Sequence, residues 1–433
     1  MRLEPEVAKV RNNETEAETM AANSEKANSA NSVNPKLIPE VNIGMVGHVS
    51  HGKTTLTQAL TGKLTLTHSE ELKRGISIRL GYADATFYKC KNGHYGTSKK
   101  CPVCFEECEP ERTVSFIDAP GHETLMATVL TGARLMDGAI LIIAANEKCP
   151  QPQTREHLAA LEAVGIKNVI IIQNKIDLVT REQAMQNYME IREFVKGTIL
   201  ESVPIIPVSA QQRVGIDVII EAIEERIPTP KRDDSKELRM FVARSFDVNK
   251  PGAAPSRLLG GIVGGSIVSG QMKIGDEIVI RPGTRIGSKY KQLTTKIVGL
   301  QKAGINLDVA NAGGLLGVMT SLDPYLTKSD SIVGSVVSHA DKVPEIKESL
   351  TLDVKILTRM LGEELKNVSG IREKEDMLLN VGTARSIGTV TASKKSKIEM
   401  RLKIPVIAEK GDRVALSRQI AGRWRLIGYG AVI

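Results

Sequence analysis

Long apolar runs are missing from this chain of 433 residues. The longest, Gly138–Ala145 and Val169–Ile172, fall far short of the ~20 residues that a membrane-spanning helix requires. We therefore expect no membrane association and interpret both runs as buried strands of a parallel sheet. Residues 1–36 lack aromatic residues and an apolar signal-peptide core, which predicts a disordered polar tail and a cytoplasmic protein.

Cysteine is also scarce, with five residues in the whole chain. Four of them, Cys90, Cys101, Cys104 and Cys108, fall within nineteen residues, and in a cytosolic chain this clustering favours a metal site over disulfides. The fifth, Cys149, follows a predicted strand, and we expect it to be a small buried residue.

Positive charge is concentrated after the tail. Residues 1–40 hold five Lys and Arg against seven Glu, a net charge of −2, so a whole-chain charge of +8 leaves +10 for the remainder. Such a basic body permits a polyanionic partner, such as nucleic acid, without requiring one.

Two patterns divide the chain. From Val41 to about Ile227, strand-like runs alternate with helical stretches, which is typical of a doubly wound α/β domain. A proline-containing polar linker follows, and then short β-branched segments separated by glycines indicate small β-barrels. We predict a tail at 1–36, an α/β domain at 37–230 with an insertion at about 88–110, and antiparallel β-barrels at 236–345 and 346–433.

The segment Gly47–Thr54 has the spacing Gly-x-x-x-x-Gly-Lys-Thr of a phosphate-binding loop, between a strand-like run and a helical run. Glycines allow backbone N–H groups to surround phosphates, Lys53 supplies a positive charge, and the Thr54 hydroxyl can bind Mg²⁺. The segment predicts a nucleotide site.

Two further motifs follow strands and identify the nucleotide. The Asp118 carboxylate can hold Mg²⁺ through water, and Gly121 can offer its backbone N–H to a γ-phosphate. Asp177 can accept hydrogen bonds from N1–H and the 2-amino group of guanine, a match that adenine does not offer. We therefore predict GTP or GDP as the ligand. The predicted GTP contacts are Val49, Ser50, His51, Gly52, Lys53, Thr54, Thr55, Gly121, Asn174, Lys175, Asp177, Ser209, Ala210 and Gln211.

This ordered set of motifs resembles the translational GTPases, the class that contains elongation factor Tu. The resemblance implies an α/β P-loop GTPase domain that hydrolyses GTP, with Arg74–Ile78 as its first switch. Within that switch it implies Ser77 as a magnesium ligand beside Thr54 and, through water, Asp118. In relatives a second Mg²⁺ is held at the positions of Ser50 and Gly75. Ser50 stands where Asp is common, so this second site is an open alternative.

The resemblance also implies the catalytic residues. His122 matches the residue that positions the attacking water, and Val49 and Ile76 match an apolar gate in front of it. A histidine can orient water or stabilise charge in the transition state, and the sequence leaves both roles open.

The cysteine segment predicts a structural zinc site. Cys101-x-x-Cys104 has the spacing of a zinc half-site, since two thiolates so placed can share one tetrahedral ion. The other half is irregular, so Cys90 needs either His94 or Cys108 to complete four ligands.

The insertion and three other segments, Leu80–Ala83, Ala145–Thr154 and Ser245–Gly252, closely resemble the gamma subunits of archaeal and eukaryotic initiation factor two. So does the ending Trp424–Gly428, and the short barrels are more similar to the archaeal form. The resemblance implies a heterotrimer with alpha and beta subunits that carries methionyl initiator tRNA to the small ribosomal subunit. It also implies that hydrolysis releases the tRNA.

Two alternatives belong to other classes. One is an elongator or selenocysteine-specific tRNA carrier; the other is the GTPase subunit of a sulfate adenylyltransferase, against which the cysteine insertion argues. Basic clusters within 289–296 and 394–403 lack a stacking aromatic array, and solvated strand faces explain them as well as RNA contacts do.

Overall fold

The computed structural model describes residues 33–65, 80–122, 125–250, 252, 254, 257–287, 289–357, 370–420 and 422–433. The predicted first switch, Arg74–Ile78, and residues 1–32 of the predicted tail lie outside these ranges. No helix within them is long and apolar enough to cross a membrane.

A seven-stranded sheet forms the first part of the chain. Its strands are β1 Val41–Gly47, β2 Gly81–Lys89, β3 Tyr95–Gly96, β4 Glu109–Asp118, β5 Gly138–Ala144, β6 Asn168–Asn174 and β7 Ile205–Pro207. The order across the sheet is β3-β2-β4-β1-β5-β6-β7, and the strands from β4 to β7 in this order run parallel. Every residue of β1 and β5 is buried, as expected of central strands covered on both faces.

Helices cover both faces of this sheet. They are α1 Lys53–Thr61, α2 Met126–Ala133, α3 Pro152–Val164, α4 Arg181–Val195 and α5 Ile216–Arg226. The apolar residues of α1 and α5 belong to one buried cluster, and those of α2, α3 and α4 to the other. The predicted doubly wound α/β arrangement is therefore present, because each face of the sheet has its own helical layer.

Local chemistry sets several helix ends. The Thr180 hydroxyl accepts from Gln183 N while the Gln183 side chain accepts from Thr180 N, so a reciprocal cap begins α4. Helix α3 ends at Val164, and the C-cap Gly165 has a φ of +90°, the left-handed conformation that glycine adopts most readily.

The strand β2 was not predicted. It pairs antiparallel with β4, from Gly81 opposite Asp118 to Lys89 opposite Glu109, so the sheet is mixed rather than wholly parallel. Burial alternates along most of β2, because only one of its faces packs against the core. The continuous apolar run that marked the parallel strands is therefore absent from it.

A closed antiparallel barrel follows. Its strands and short hairpins are β8 Arg239–Phe246, β9 Ile262–Ser269, β10 Gln271–Lys273, β11 Glu277–Ile286, β12 Lys289–Lys302, β13 Ile305–Leu307, β14 Val309–Asn311, β15 Leu316–Thr320 and β16 Val336–His339. The ring β11-β16-β8-β9-β15-β12 closes because β11 also pairs with β12.

A second closed barrel ends the chain. Its strands are β17 Ile346–Ile356, β18 Asp376–Val381, β19 Ala384–Lys394, β20 Lys397–Ile407, β21 Arg413–Ile420 and β22 Arg423–Val432. The ring order is β17-β20-β19-β18-β21-β22, and a separate apolar cluster fills each barrel. The predicted fold class, an α/β domain followed by two antiparallel β-barrels, is confirmed.

One carboxylate joins the three parts. Asp412, before β21, accepts from Arg134 Nη2 at 3.0 Å and from Arg239 Nη2 at 2.6 Å. Arg134 follows α2, and Arg239 is the first residue of β8. Both guanidinium groups lie over the Phe241 ring, 5.8 and 5.0 Å from its centroid. We call Arg134, Arg239, Phe241 and Asp412 the junction.

Candidate functional site

The loop between β1 and α1 has the backbone of a phosphate cradle. Gly47 and Gly52 have φ of +141° and +93°, and Ser50 also has a positive φ of +61°. A Cβ at Gly47 would lie 2.2 Å from Ile142 O, and one at Gly52 would lie 2.3 Å from Asn174 Nδ2. Both glycines are therefore required by close contacts as well as by conformation.

Lys53 occupies the centre of this loop. Its Nζ donates to Gly47 O at 2.9 Å and to His48 O at 2.7 Å, and its side chain is buried. Burial lowers the pKa of Lys53 to about 8, although the Asp118 carboxylate opposes this shift. A phosphate in the loop would offer the ammonium a charged partner in place of two neutral carbonyls.

Asp118 is fully buried at the end of β4, where two hydroxyl groups meet it. Thr54 Oγ1 and Thr65 Oγ1 each donate to Asp118 Oδ2 at 2.7 Å. Carboxylate and hydroxyl oxygens are hard ligands of the kind that Mg²⁺ prefers, so this donor set fits the ion. Thr65 was not predicted, because no motif marks it and its partner is 53 positions away in the sequence.

The turn after Asp118 lies against the phosphate loop. A Cβ at Gly121 would lie 2.5 Å from Lys53 Nζ and 2.8 Å from Val49 N, so this backbone meets the loop directly. His122 follows at the surface with an exposed side chain, and Val49 is half-buried. Their predicted companions in the first switch, Gly75, Ile76 and Ser77, lie outside the described residues.

The motifs predicted to bind the base meet the phosphate loop through one side-chain amide. Asn174 Nδ2 donates to His51 O at 2.9 Å, and Asn174 Oδ1 accepts from Ala210 N at 3.0 Å. Asp177 is exposed and Lys175 is half-buried, with a φ of +65°. The remaining predicted contacts differ in exposure: Ser209 and Ala210 are buried, and Gln211 is exposed.

Histidines that belong to no predicted catalytic role surround the same loop. His51 is buried, with Nδ1 3.1 Å from Ile142 O and Nε2 3.3 Å from Glu147 Oε2. Burial lowers the pKa of His51 to about 4, against the opposing effects of Ile142 O and the Glu147 carboxylate. His157, from α3, accepts a hydrogen bond from Gly47 N at 2.6 Å. No sequence motif marked His157.

Four metal-ligating side chains converge in the insertion. The ligand atoms of Cys90, His94, Cys101 and Cys104 lie within 4.8 Å of one another. His94 Nδ1 is 3.5 Å from Cys90 Sγ and 3.6 Å from Cys101 Sγ, and Cys104 Sγ is 3.6 Å from Cys90 Sγ. A tetrahedral zinc site with Zn–S of about 2.3 Å and Zn–N of about 2.0 Å has edges of roughly 3.5–3.8 Å, so the cluster fits the ion.

The alternative fourth ligand, Cys108, is not part of this cluster. Its Sγ lies 3.9 Å from Glu106 O instead. Backbone N–H groups, first that of Cys104, hold the pKa of the Cys101 thiol down to about 6, which favours the thiolate that zinc binds. Cys149 is buried, and burial raises the pKa of its thiol to about 12.

Residues 39–229 match the family described as Elongation factor Tu GTP binding domain, and residues 348–432 match Initiation factor eIF2 gamma, C terminal. The chain is 59% identical over 399 residues to translation initiation factor 2 subunit gamma of Pyrococcus furiosus, which covers 91% of this chain and 97% of the relative. It is 57% identical over 400 residues to the protein of that name from Methanocaldococcus jannaschii, with the same coverage.

Two solved structures are similar to the whole arrangement. A bacterial selenocysteine-specific elongation factor gives a TM-score of 0.71 at 25% identity, over 91% of this chain and 58% of that chain. Elongation factor SelB from Methanococcus maripaludis, bound to a GTP analogue, gives a TM-score of 0.68 at 23% identity, over 91% of this chain and 79% of that chain. The SelB likeness concerns the fold alone, whereas the initiation-factor relatives are more than half identical over nearly the whole chain. The chain therefore belongs to the family of translation initiation factor 2 gamma subunits, and it is a GTPase of the translational class.

Proposed function

We propose that this protein is the core GTPase subunit of a heterotrimeric initiation factor that carries methionyl initiator tRNA to the small ribosomal subunit. It binds the tRNA when loaded with GTP and releases it when GTP is hydrolysed to GDP. The observation that carries this proposal is identity of 57% and 60% to initiation factor 2 gamma subunits over 91% of the chain. Alpha and beta subunits are its partners in the cytoplasm.

In this proposal the phosphate loop, from Val49 to Thr55, and Gly121 bind the phosphates. Lys53 supports this role, because its buried ammonium already lies among loop carbonyls that a phosphate would replace. Guanine binds at Asn174, Lys175 and Asp177, and the segment Ser209–Gln211 completes the pocket. The exposed Asp177 carboxylate favours guanine because it can accept from two of its donors.

Mg²⁺, when bound, neutralises phosphate charge. We assign Thr54, Ser77 and, through water, Asp118 to it, and Ser50 and Gly75 are the candidates for a second ion. The two hydroxyl groups on Asp118 support the assignment of that carboxylate. His122 positions the attacking water behind a gate of Val49 and Ile76, and the exposure of its side chain to solvent supports this role.

Zinc is proposed as a structural cofactor of the insertion, held by Cys90, His94, Cys101 and Cys104. Two of these ligands, Cys90 and Cys101, are buried, which gives the short insertion a core that apolar residues do not supply.

The test is selective retention of tRNA. The chain, combined with its alpha and beta subunits and loaded with GTP, GDP or ATP, is passed through a filter with methionylated initiator tRNA or with elongator tRNAs. We expect retention of the initiator tRNA with GTP and much weaker retention with GDP or ATP. Equal retention of elongator tRNAs would contradict the proposal and favour an elongator-type carrier.

A further inference from the structure

Gly47, the first residue of the phosphate loop, is held on both sides of its Cα. Its N–H donates to His157 Nδ1 at 2.6 Å, and its carbonyl accepts from Lys53 Nζ at 2.9 Å. His157 lies on α3, 110 positions further along the chain, and its side chain is fully buried. The loop therefore begins at a residue whose two peptide groups are fixed from different elements.

The direction of this hydrogen bond defines the state of the imidazole. Because Nδ1 accepts, the ring proton is on Nε2, which has no hydrogen-bond partner among the described residues. Burial, followed by the charges of Lys53, His48 and His51, holds the pKa of His157 well below its ordinary value. The ring is therefore neutral near pH 7, and Nδ1 remains an acceptor.

The surroundings of Gly47 leave its backbone no alternative. A Cβ at this position would lie 2.2 Å from Ile142 O of β5, so the peptide is confined between β5 and α3. All of β1, including Gly47, is buried, and a buried N–H without a partner is unfavourable. His157 Nδ1 is thus the group that satisfies this N–H and fixes the backbone direction in which the loop starts.

The helix that carries His157 is itself anchored. Glu156 accepts from Arg425 of β22, and Glu162 O accepts from Arg413 Nη1 of β21 at 2.9 Å. These contacts lie on either side of His157 along α3. Contacts with the last barrel, as well as with the sheet, therefore fix the position and orientation of the helix.

We propose that His157 is a positioning residue of the nucleotide site. It does not touch the nucleotide; its Nδ1 fixes Gly47, and through Gly47 the arrangement of the backbone N–H groups that receive the phosphates. The inference rests on the nucleotide site of the proposed function and adds a residue to it.

A pair of substitutions of nearly equal shape tests this. In His157→Asn the side-chain oxygen takes the place of Nδ1, whereas His157→Leu fills a similar volume without an acceptor. The control is Thr154→Val, a fully buried position one turn earlier on α3, whose hydroxyl has no hydrogen-bond partner among the described residues. Dissociation constants for GDP and GTP and the nucleotide-free melting temperature are measured for each full-length chain.

We expect His157→Leu to weaken GDP and GTP binding at least tenfold, equivalent to about 1.4 kcal/mol. We expect the dissociation constants of His157→Asn to stay within about threefold of those of the unsubstituted chain, because asparagine keeps an acceptor for Gly47 N–H. Thr154→Val should leave both constants unchanged, because the Thr154 hydroxyl does not accept from Gly47. Equal affinities of the Leu and Asn chains would overturn the inference. So would losses of affinity that follow the melting temperature in all three variants.

Two further outcomes are an unsubstituted chain that binds no nucleotide and a His157→Leu chain that does not fold. If the unsubstituted chain binds neither nucleotide, the proposed function fails rather than the role of His157. If the Leu chain does not fold, His157→Gln replaces it, because glutamine places its oxygen one bond too far from Gly47. The inference then requires weaker binding by the Gln chain than by the Asn chain, and equal binding contradicts it.

Discussion

Buried histidines give the phosphate loop a set of neutral polar groups. His51 contacts Ile142 O and Glu147, and its ring centroid is 5.1 Å from that of His48. Burial lowers the pKa of both rings, so they add little positive charge beside Lys53 at neutral pH. The lysine therefore remains the main cation of the loop at neutral pH, which suits a site that binds a polyphosphate.

This arrangement predicts a loss of stability in mild acid. The folded pKa of His51 is lowered to about 4, against about 6.5 in an unfolded chain, so between these values the unfolded chain binds more protons. The contribution of His51 to the free energy of unfolding is thus fully present above about pH 6.5 and is lost as the pH falls towards 4. Its size is about 1.4 kcal/mol for each pKa unit between the folded and unfolded chains. The nucleotide-free melting temperature should fall across this range, and less steeply in His51→Gln. Identical slopes in the two chains would show that other groups control the transition.

The exposed His122 leads to a kinetic prediction. Because its side chain faces solvent, His122→Ala should leave GTP affinity nearly unchanged while lowering the ribosome-stimulated rate of hydrolysis by about 100-fold or more. Single-turnover hydrolysis with ribosomal subunits measures this, with His339→Ala in the first barrel as the control. An unchanged stimulated rate would assign the positioning of water to another residue.

Motif residues were predictable where their chemistry is local. Lys53, Asp118 and Asn174 each end or follow a strand, and parallel strands bring such positions to one edge of a sheet. His157 and Thr65 were missed because their contacts, with Gly47 and Asp118, cross 110 and 53 positions. Nothing in the local sequence of α3 distinguishes a histidine that faces the loop from one that faces a core.

At the scale of elements, the insertion between β2 and β4 has little regular structure and little apolar burial to stabilise it. Beyond the two-residue strand β3 and a bridge between Lys100 and Glu107, its described backbone forms turns, bends and irregular segments. Val103 and Phe105 at its tip are exposed, so apolar burial contributes little there. The cysteine and histidine cluster is the part of the insertion where buried side chains meet.

Zinc removal should therefore unfold the insertion without unfolding the sheet. We expect about one zinc per chain by elemental analysis, retained in Cys108→Ser and lost in His94→Ala, because only His94 belongs to the cluster of ligand atoms. Chelation should expose the insertion to proteolysis between Lys91 and Lys100 while GDP binding persists. Loss of zinc in the Cys108 variant would reverse the assignment of the fourth ligand.

Elements were predicted unevenly for a physical reason. The parallel strands are buried on both faces and carry continuous apolar runs, whereas β2 alternates buried and half-buried residues along most of its length. The barrels were recognisable from short β-branched segments with glycines between them. Strand order within each ring was not predicted, because pairing partners such as β17 and β20 are distant in the sequence.

At the scale of the whole molecule, the junction is a contact that could not be predicted from the sequence. Asp412 meets Arg134 and Arg239 across 278 and 173 positions, and no motif includes any of these residues. The side chains of Asp412, Arg134 and Arg239 are 12%, 26% and 14% exposed, so this is a mostly buried set of charges.

Removing the shared carboxylate should destabilise the protein more than removing a surface partner. Asp412→Ala removes the carboxylate that Arg134 and Arg239 share and leaves Arg239 paired with Glu409, which is 60% exposed. We expect a loss of about 2–3 kcal/mol, seen as a lower melting temperature. The control is Asp376→Ala in the same barrel, whose partner Lys403 is 56% exposed, and its loss should stay below about 1 kcal/mol. Equal effects of the two variants would mean that the junction adds no more stability than an exposed ion pair.

The junction also determines which fragments of this protein can be studied. A chain cut before the last barrel would lose Asp412 and leave the like charges of Arg134 and Arg239 together over the Phe241 ring. These two like charges repel each other, and this repulsion would favour separation of the sheet from the first barrel in the shortened chain. Measurements of nucleotide or tRNA binding on such a fragment would then describe a different arrangement of the same residues, even if every part remained folded.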